Sequence, residues 1–257
     1  MLDDGPFRRL DALTASLEIR AQSASTNAEL VAAASAGTLP HLTVLLTHDQ
    51  TGGRGRLDRS WVAGPGRAVA ASVLVRVDAV PPAARGWIPL VAGAAMTHAV
   101  AAQLPQHTVR MKWPNDVLVD DRKICGILAE VVPGDPAAVV IGSGVNTTMP
   151  AEELPVPTAT SFAVLGAVAD EDALLADYVG ELDRSLQALA GDRGASAELR
   201  GAVETVCATI GLEVRVSLPD GSTVAGTAVR LDEDGRLVVA SPSGEQSLSA
   251  GDVIHVR

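Results

Sequence analysis

Hydrophobic and polar positions along the chain fall into blocks that predict alternating helices and strands. "STNAELVAAASAG" predicts a helix, with Thr26 as the expected N-cap, Glu29 three positions on completing a capping box, and Gly37 at the stop. "LTVLLTHDQ" is a β-rich run leading into a glycine- and arginine-bearing loop, and "GRAVAASVLVR" predicts a second strand. Gly86 to Gln106 then contains no Asp, Glu, Lys or Arg, a length sufficient for a membrane span. Pro89, Thr97, His98, Gln103 and the many alanines favour a buried helix instead.

"VRMKWPNDVLVDDRKICGILAEVV" predicts a hairpin turning at Asp120 and Asp121, and "AAVVIGSGVN" a further strand ending in Gly-x-Gly. In "DEDALLADYVGELDRSLQAL" the residues Leu174, Leu175, Tyr178, Val179, Leu182 and Leu186 recur at helical spacing, a face for core packing. From about Ala208 the pattern changes to short alternating strands broken by "PDG" and "EDG" turns. The expected layout is an α/β domain over residues 1–207 and a small all-β barrel over 208–257.

Composition sharpens this picture. At 257 residues and 47% hydrophobic the chain can bury a core, but aromatics are only 2%, so Val, Leu, Ile and Ala must fill it. Trp61 and Trp113 gain weight from that scarcity, since each stands beside a charged motif. A net charge of −11 argues against a DNA or anionic-membrane surface. Cys125 and Cys207 lie far apart, match no metal-ligand spacing and suit buried thiols in a reduced cytoplasmic protein. The N-terminus lacks the basic start and apolar run of a signal peptide. The five histidines show no metal spacing, so no resident metal site is expected.

Three stretches could carry chemistry. "QTGGRGRLDRSW" (Gln50 to Trp61) concentrates three arginines and three glycines in an acidic chain. Its glycines permit close approach and movement, and in an extended segment Arg54 and Arg56 would point the same way. It lacks the Gly-Lys-Ser/Thr of a Walker loop, and a solvated loop with incidental charge is the plain alternative. In "KWPND", Lys112 closes a predicted strand where it could meet an anion, while Asn115 and Asp116 could tie the turn or orient a ligand. The plain alternative there is a decorated hairpin turn with Asp116 paired to a cation. "GSGVN" lacks the third glycine of a dinucleotide fingerprint.

In their order, "STN", "QTGGRGR", "KWPND", "RKICGILAE" and "GSGVN", these stretches resemble the biotin protein ligases, from about Ser25 to Asn146. The resemblance implies a catalytic domain with a mixed sheet flanked by helices, followed by an SH3-like barrel, in the ligase-only form without an N-terminal helix-turn-helix. It implies ATP and biotin as substrates, magnesium accompanying ATP, biotinyl-5′-AMP as intermediate, and transfer to a lysine on the biotin carrier domain of an acyl-CoA carboxylase. No DNA or membrane partner is implied, and the protein is expected as a monomer or weak homodimer.

By the same resemblance, Lys112, Arg54 and Arg56 are the expected catalytic residues. Lys112 would contact the biotin carboxylate and the α-phosphate, and the arginines would sit on a lid over biotin and the adenylate. Ser25, Thr26, Asn27 and Gln50 would read biotin, with Gly53, Gly55, Gly126, Gly142 and Gly144 lining the pocket. Trp61, Asn115, Lys123 and Asn146 would serve the nucleotide, Trp61 by stacking on adenine and Asn146 by hydrogen bonding to the base. Asp58 stands where many relatives have glycine, which bears on the lid's hinge. Lipoate or octanoyl transfer on a similar fold is the alternative enzyme reading. A nucleic-acid-binding module and a non-catalytic biotin-binding regulator are the others.

Overall fold

The structure is a computed structural model and describes residues 6–56 and 59–256. Asp58 lies outside them. A short helix α1 (Arg8–Asp11) and an edge strand β1 (Ser16–Arg20) precede helix α2 (Thr26–Ala36). The cap of α2 differs from the sequence expectation by one residue. Ser25, in extended conformation, accepts a hydrogen bond from Ala28 N at 3.3 Å, and Glu29 reaches back to Ala24 N at 3.2 Å. Thr26 is freed from capping because its hydroxyl is engaged elsewhere, by Gln50.

The main sheet contains β1, β2 (Thr43–Thr47), β5 (Ala68–Arg76), β9 (Asp135–Asn146), β8 (Arg122–Val132), β7 (Asp116–Val119) and β6 (Val109–Lys112), in that spatial order. Only β1 and β2 run parallel; every other neighbouring pair is antiparallel, so the sheet is mixed. The hairpin at Asp120 and Asp121 forms as expected, both residues taking positive φ as a tight primed turn requires.

The apolar stretch after β5 becomes helix α3 (Ile88–Gln103), packed against helix α4 (Glu171–Ala190). Every residue named for the packing face of α4 is buried. Among the described residues no helix is long and apolar enough to cross a membrane. Helix α5 (Arg193–Val206), which the sequence reading did not include, leads to the C-terminal unit. There β10 (Glu213–Ser217), β11 (Thr223–Leu231), β12 (Leu237–Ser241), β13 (Gly244–Leu248) and β14 (Asp252–His255) form an antiparallel sheet in the order β13-β12-β11-β10-β14.

This unit is fastened to the main body. Trp87 Nε1 donates to Glu233 O at 2.9 Å and Trp113 Nε1 to Gly235 O at 3.4 Å, so two buried indoles hold one turn between β11 and β12. Gly86 lies against the same turn, where a Cβ would stand 2.1 Å from Asp234 O. Trp113, given weight beside "KWPND", is thus a structural strut that is 2% exposed.

The arginine stretch is more ordered than its glycines suggest. Gln50–Arg54 form β3 and Ser60–Ala63 form β4, an antiparallel hairpin, while Gly55, Arg56 and Arg59 belong to neither strand. Gly53 must be glycine, because a Cβ there would stand 2.4 Å from Trp61 O across the pair. Thr51 N and Gly52 N donate to Ser23 O and Ala24 O, which binds β3 to the segment leading into α2.

Candidate active site

Strands β8 and β9 make the floor of a cavity of about 290 Å³. Gly126 faces Gly144 across the pair, and Leu128 faces Gly142. Each glycine is a bed for a side chain from elsewhere. A Cβ on Gly142 would stand 2.2 Å from Asn27 Oδ1, on Gly144 2.4 Å from Trp61 Cζ2, and on Gly126 3.1 Å from Lys123 Nζ. All three glycines line the cavity as expected, and they also let these three residues lie flat on the sheet. Gly53 does not line it and acts through the hairpin instead; Gly55 does line it.

One end is neutral and polar. Gln50 Oε1 accepts from Thr26 N at 2.9 Å and from Thr26 Oγ1 at 3.1 Å. Ser72 Oγ lies 2.7 Å from both Thr26 Oγ1 and Asn27 Oδ1, and Asn27 Nδ2 donates to Glu130 Oε2 at 2.7 Å. Ser25, Thr26, Asn27 and Gln50, all buried, therefore form a preorganised set in which each rotamer is held by its neighbours. Ser72 and Glu130 were not singled out from the sequence. Ser72 is a hydroxyl in the middle of an otherwise apolar strand, and that was its signal.

The other end is cationic. Among the described residues it is lined by Arg54, Arg56, Arg59 and Lys123. Lys123 Nζ lies 2.6 Å from Asp116 Oδ1, Arg59 Nη2 2.5 Å from Asp252 Oδ2, and Arg54 Nη2 3.7 Å from Glu130 Oε1. Arg56 Nη1 donates to Asn115 Oδ1 at 3.3 Å and Gly251 O at 3.5 Å. Arg54 thus turns toward Glu130 and Arg56 toward Asn115 and Gly251 instead of pointing the same way, because Arg56 lies past the end of β3. Burial lowers the pKa of Arg56, opposed by Asp116 and Asp252. A guanidinium stays charged at neutral pH regardless. Asn115 also donates to Ile127 O at 2.7 Å, tying the turn to β8 as expected.

Lys112 does not itself line the cavity but neighbours residues that do. It ends β6, the edge strand, at the register position paired with Asp116 of β7, a lining residue. Its charge acts on Asp252, another lining residue, and on His255, both of the C-terminal unit. Lys123, from the turn side of β8, occupies the cavity wall.

A third region is built from Trp61, Asn146 and the segment around Pro155, Val156 and Ala159. Asn146 Nδ2 donates to Thr160 O at 2.9 Å, and Thr160 N donates to Lys123 O, so this segment runs along the start of β8. Flat apolar surface beside an amide suits a heteroaromatic ring. Gly251 and Asp252, between β13 and β14 and at the start of β14, complete the wall. Nothing in their local sequence marked them, since their role comes from docking of the C-terminal unit.

Comparison with known proteins places this arrangement. Residues 20–146 match the Biotin/lipoate A/B protein ligase family and residues 209–256 the Biotin protein ligase C terminal domain. The chain is 41% identical over 244 residues to the biotin–[acetyl-CoA-carboxylase] ligase of Mycobacterium tuberculosis, covering 94% of this chain and 89% of that protein. It is 30% identical over 241 residues to the enzyme of the same description from Paracoccus denitrificans, covering 91% and 98%. A solved biotin protein ligase from Aquifex aeolicus, in complex with biotin and ATP, shares the fold at TM-score 0.76 and 23% identity, covering 95% of this chain and 99% of that one. A family-model match at each end and a relative alike over nearly its whole length lead to one conclusion: the chain belongs to the biotin protein ligase family.

Proposed function

We propose that this protein is an ATP-dependent biotin protein ligase that activates biotin as biotinyl-5′-AMP and transfers it to a lysine of a carboxylase carrier domain. The observation that carries the reading is the polarity of one cavity: a neutral hydrogen-bonding end beside a cluster of four cations, with a flat apolar region flanking it. A neutral bicyclic urea, a carboxylate with a triphosphate, and a purine require those three environments in that adjacency.

The first step joins two anions. At about 4 Å their repulsion is ~1 kcal/mol in water and several-fold larger in a low-dielectric site. Arg54, Arg56 and Lys112, with Lys123, offset it as an oxygen of the biotin carboxylate attacks the α-phosphorus and diphosphate departs. Lys112, expected to contact the carboxylate and the α-phosphate, acts from beside Asp116 and Asp252, while Lys123 acts from the cavity wall. Thr26, Asn27 and Gln50 hold the ureido ring, aided by Ser25, while Trp61 and Asn146 hold the nucleotide base and Asn115 steadies Arg56. In the second step a neutral ε-amine attacks the acyl carbon of the anhydride, AMP leaves, and the nitrogen sheds its proton as the amide forms.

The β3–β4 hairpin serves as the lid that shelters the anhydride from water. Magnesium enters on the phosphates of ATP, held by phosphate and water oxygens. Among the described residues no group of three or more His, Cys, Asp or Glu could hold a metal ion, and Asp116 is engaged by Lys123.

The carrier of an acetyl-CoA or related carboxylase is the macromolecular substrate, approaching along an exposed sheet edge. Residues 1–207 act as the catalytic domain and 208–257 as an SH3-like C-terminal domain. The protein works in the cytoplasm, without DNA, as a monomer or weak homodimer. The test is mass spectrometry of a defined carrier domain after incubation with the protein, biotin, ATP and magnesium. Gain of one biotinyl group per carrier supports the reading. No gain, or preference for lipoate in direct competition, overturns it.

A further inference from the structure

We propose that Asp252 of the C-terminal unit is a positioning residue for the nucleotide, acting through Arg59: it fixes the Arg59 guanidinium at the phosphate end of the cavity. The proposal rests on the reading of that cavity as the adenylation site.

Asp252 is set on a rigid support. The indoles of Trp87 and Trp113 hold the turn carrying Glu233 and Gly235, and Trp113 N donates to Thr209 Oγ1 at 3.0 Å. Thr209 Oγ1 in turn lies 3.2 Å from Nε2 of His255, on the same strand as Asp252. Beside it Gly251 is pressed against β10, where a Cβ would stand 2.4 Å from Val216 Cγ1.

From this support two contacts reach the hairpin carrying the cavity's arginines. Arg59 Nη2 and Nη1 donate to Asp252 Oδ2 and Oδ1 at 2.5 and 3.4 Å, and Arg56 Nη1 donates to Gly251 O. Arg59 and Asp252 both line the cavity, 193 residues apart in sequence. An arginine on a hairpin end has many rotamers, and a fork-to-fork carboxylate restricts them to a few. Asp252 uses two of the five guanidinium donors, leaving three for phosphate oxygens.

Burial pushes the Asp252 carboxyl up, yet hydrogen bonding and charge from Arg59, with Lys112 and Arg56, hold it below the usual range. It therefore remains ionised at neutral pH. The structural outcome is that the C-terminal unit orients a lid arginine that sits on the catalytic body.

The experiment measures biotin-dependent exchange of labelled diphosphate into ATP and the dissociation of biotinyl-AMP, using the full chain as wild type, Asp252→Asn, Asp252→Glu, Arg59→Ala and the double variant Arg59→Ala/Asp252→Asn. Asp252→Asn is expected to raise KM for ATP and speed loss of the adenylate by about threefold to tenfold each. Asp252→Glu, which keeps the charge and the fork, restores most of both. In the Arg59→Ala background, Asp252→Asn adds nothing further, a result that a merely structural role for the aspartate would not give. A KM for ATP that stays the same or falls in Asp252→Asn overturns the proposal, as does an undiminished effect without Arg59. Absence of biotin-dependent exchange in the wild type overturns the functional reading itself, and the proposal with it.

Discussion

Asn27 rests on Gly142: a Cβ at position 142 would stand 2.2 Å from Asn27 Oδ1, and Asn27 Nδ2 is tied at the same time to Glu130 and to Leu128 O. A residue from the first turn of α2 is thus held flat on the central sheet, where it meets Ser72 from β5. The neutral end of the cavity is tied together because three separate elements share these hydrogen bonds.

Gly142→Ala should therefore displace Asn27 and raise the dissociation constant for biotin by about tenfold or more, while the sheet remains folded. Isothermal titration checks it alongside the far-ultraviolet circular dichroism spectrum. Unchanged affinity would detach Asn27 from recognition.

Both lysines of the motif region should matter for the first step. Lys123→Gln is expected to reduce biotinyl-AMP formation about 10²- to 10³-fold, because the cation lining the cavity is removed where charge develops. Lys112→Gln should likewise cripple adenylate formation, since Lys112 stands opposite Asp116 and acts on Asp252, both at the cavity wall. Rapid-quench measurement of the adenylate checks both, and normal formation in either variant would remove that lysine from the step.

Where these two lysines stand relative to the cavity was only partly legible in the sequence. "KWPND" and "RKICGIL" each place a lysine beside a turn, and nothing in either stretch tells which strand will form the floor of a cavity. The decision is made by sheet order, with β6 outermost and β8 next to β9. The mixed α/β core was legible because α4 carries helical periodicity and β9 an apolar run, and the "STN" segment because Ser25 to Asn27 start a helix. The contribution of Asp252 was not legible: it depends on how a separate sheet docks through Trp87 and Trp113. Pairing of β3 with β4 was missed because two glycines inside a strand look locally unfavourable.

Docking of the C-terminal unit can be loosened directly. Gly86→Ala would drive a Cβ to 2.1 Å from Asp234 O, a backbone atom that has little room to give. A loss of about 1–3 kcal/mol is expected on unfolding by denaturant, together with faster proteolysis between residues 207 and 213. Wild-type stability in this variant would mean that the turn yields without cost.

Both cysteines should be silent toward thiol reagents in the native protein. Burial pushes the Cys125 thiol up to about 12 and raises Cys207 as well, so neither presents a thiolate at pH 8. The sign of the pH effect follows. Above about pH 9 the unfolded chain ionises Cys125 while the folded chain keeps it protonated, so the unfolded state binds fewer protons. Stability should then fall by up to about 1.4 kcal/mol per pH unit from this group between its unfolded and folded pKa values. Cys125→Ala should flatten that part of the pH profile, as read from denaturant midpoints at pH 8 and pH 10.

On the proposed function, fixed cations at one end of the cavity bring a carboxylate and a polyphosphate into reaction before any carrier is present. The most direct measurement is exchange of radiolabelled diphosphate into ATP by the protein alone, with and without biotin. Exchange should require biotin and disappear in Lys112→Gln and in Lys123→Gln; exchange that ignores biotin, or none with every substrate supplied, would mean that the cavity does not adenylate biotin.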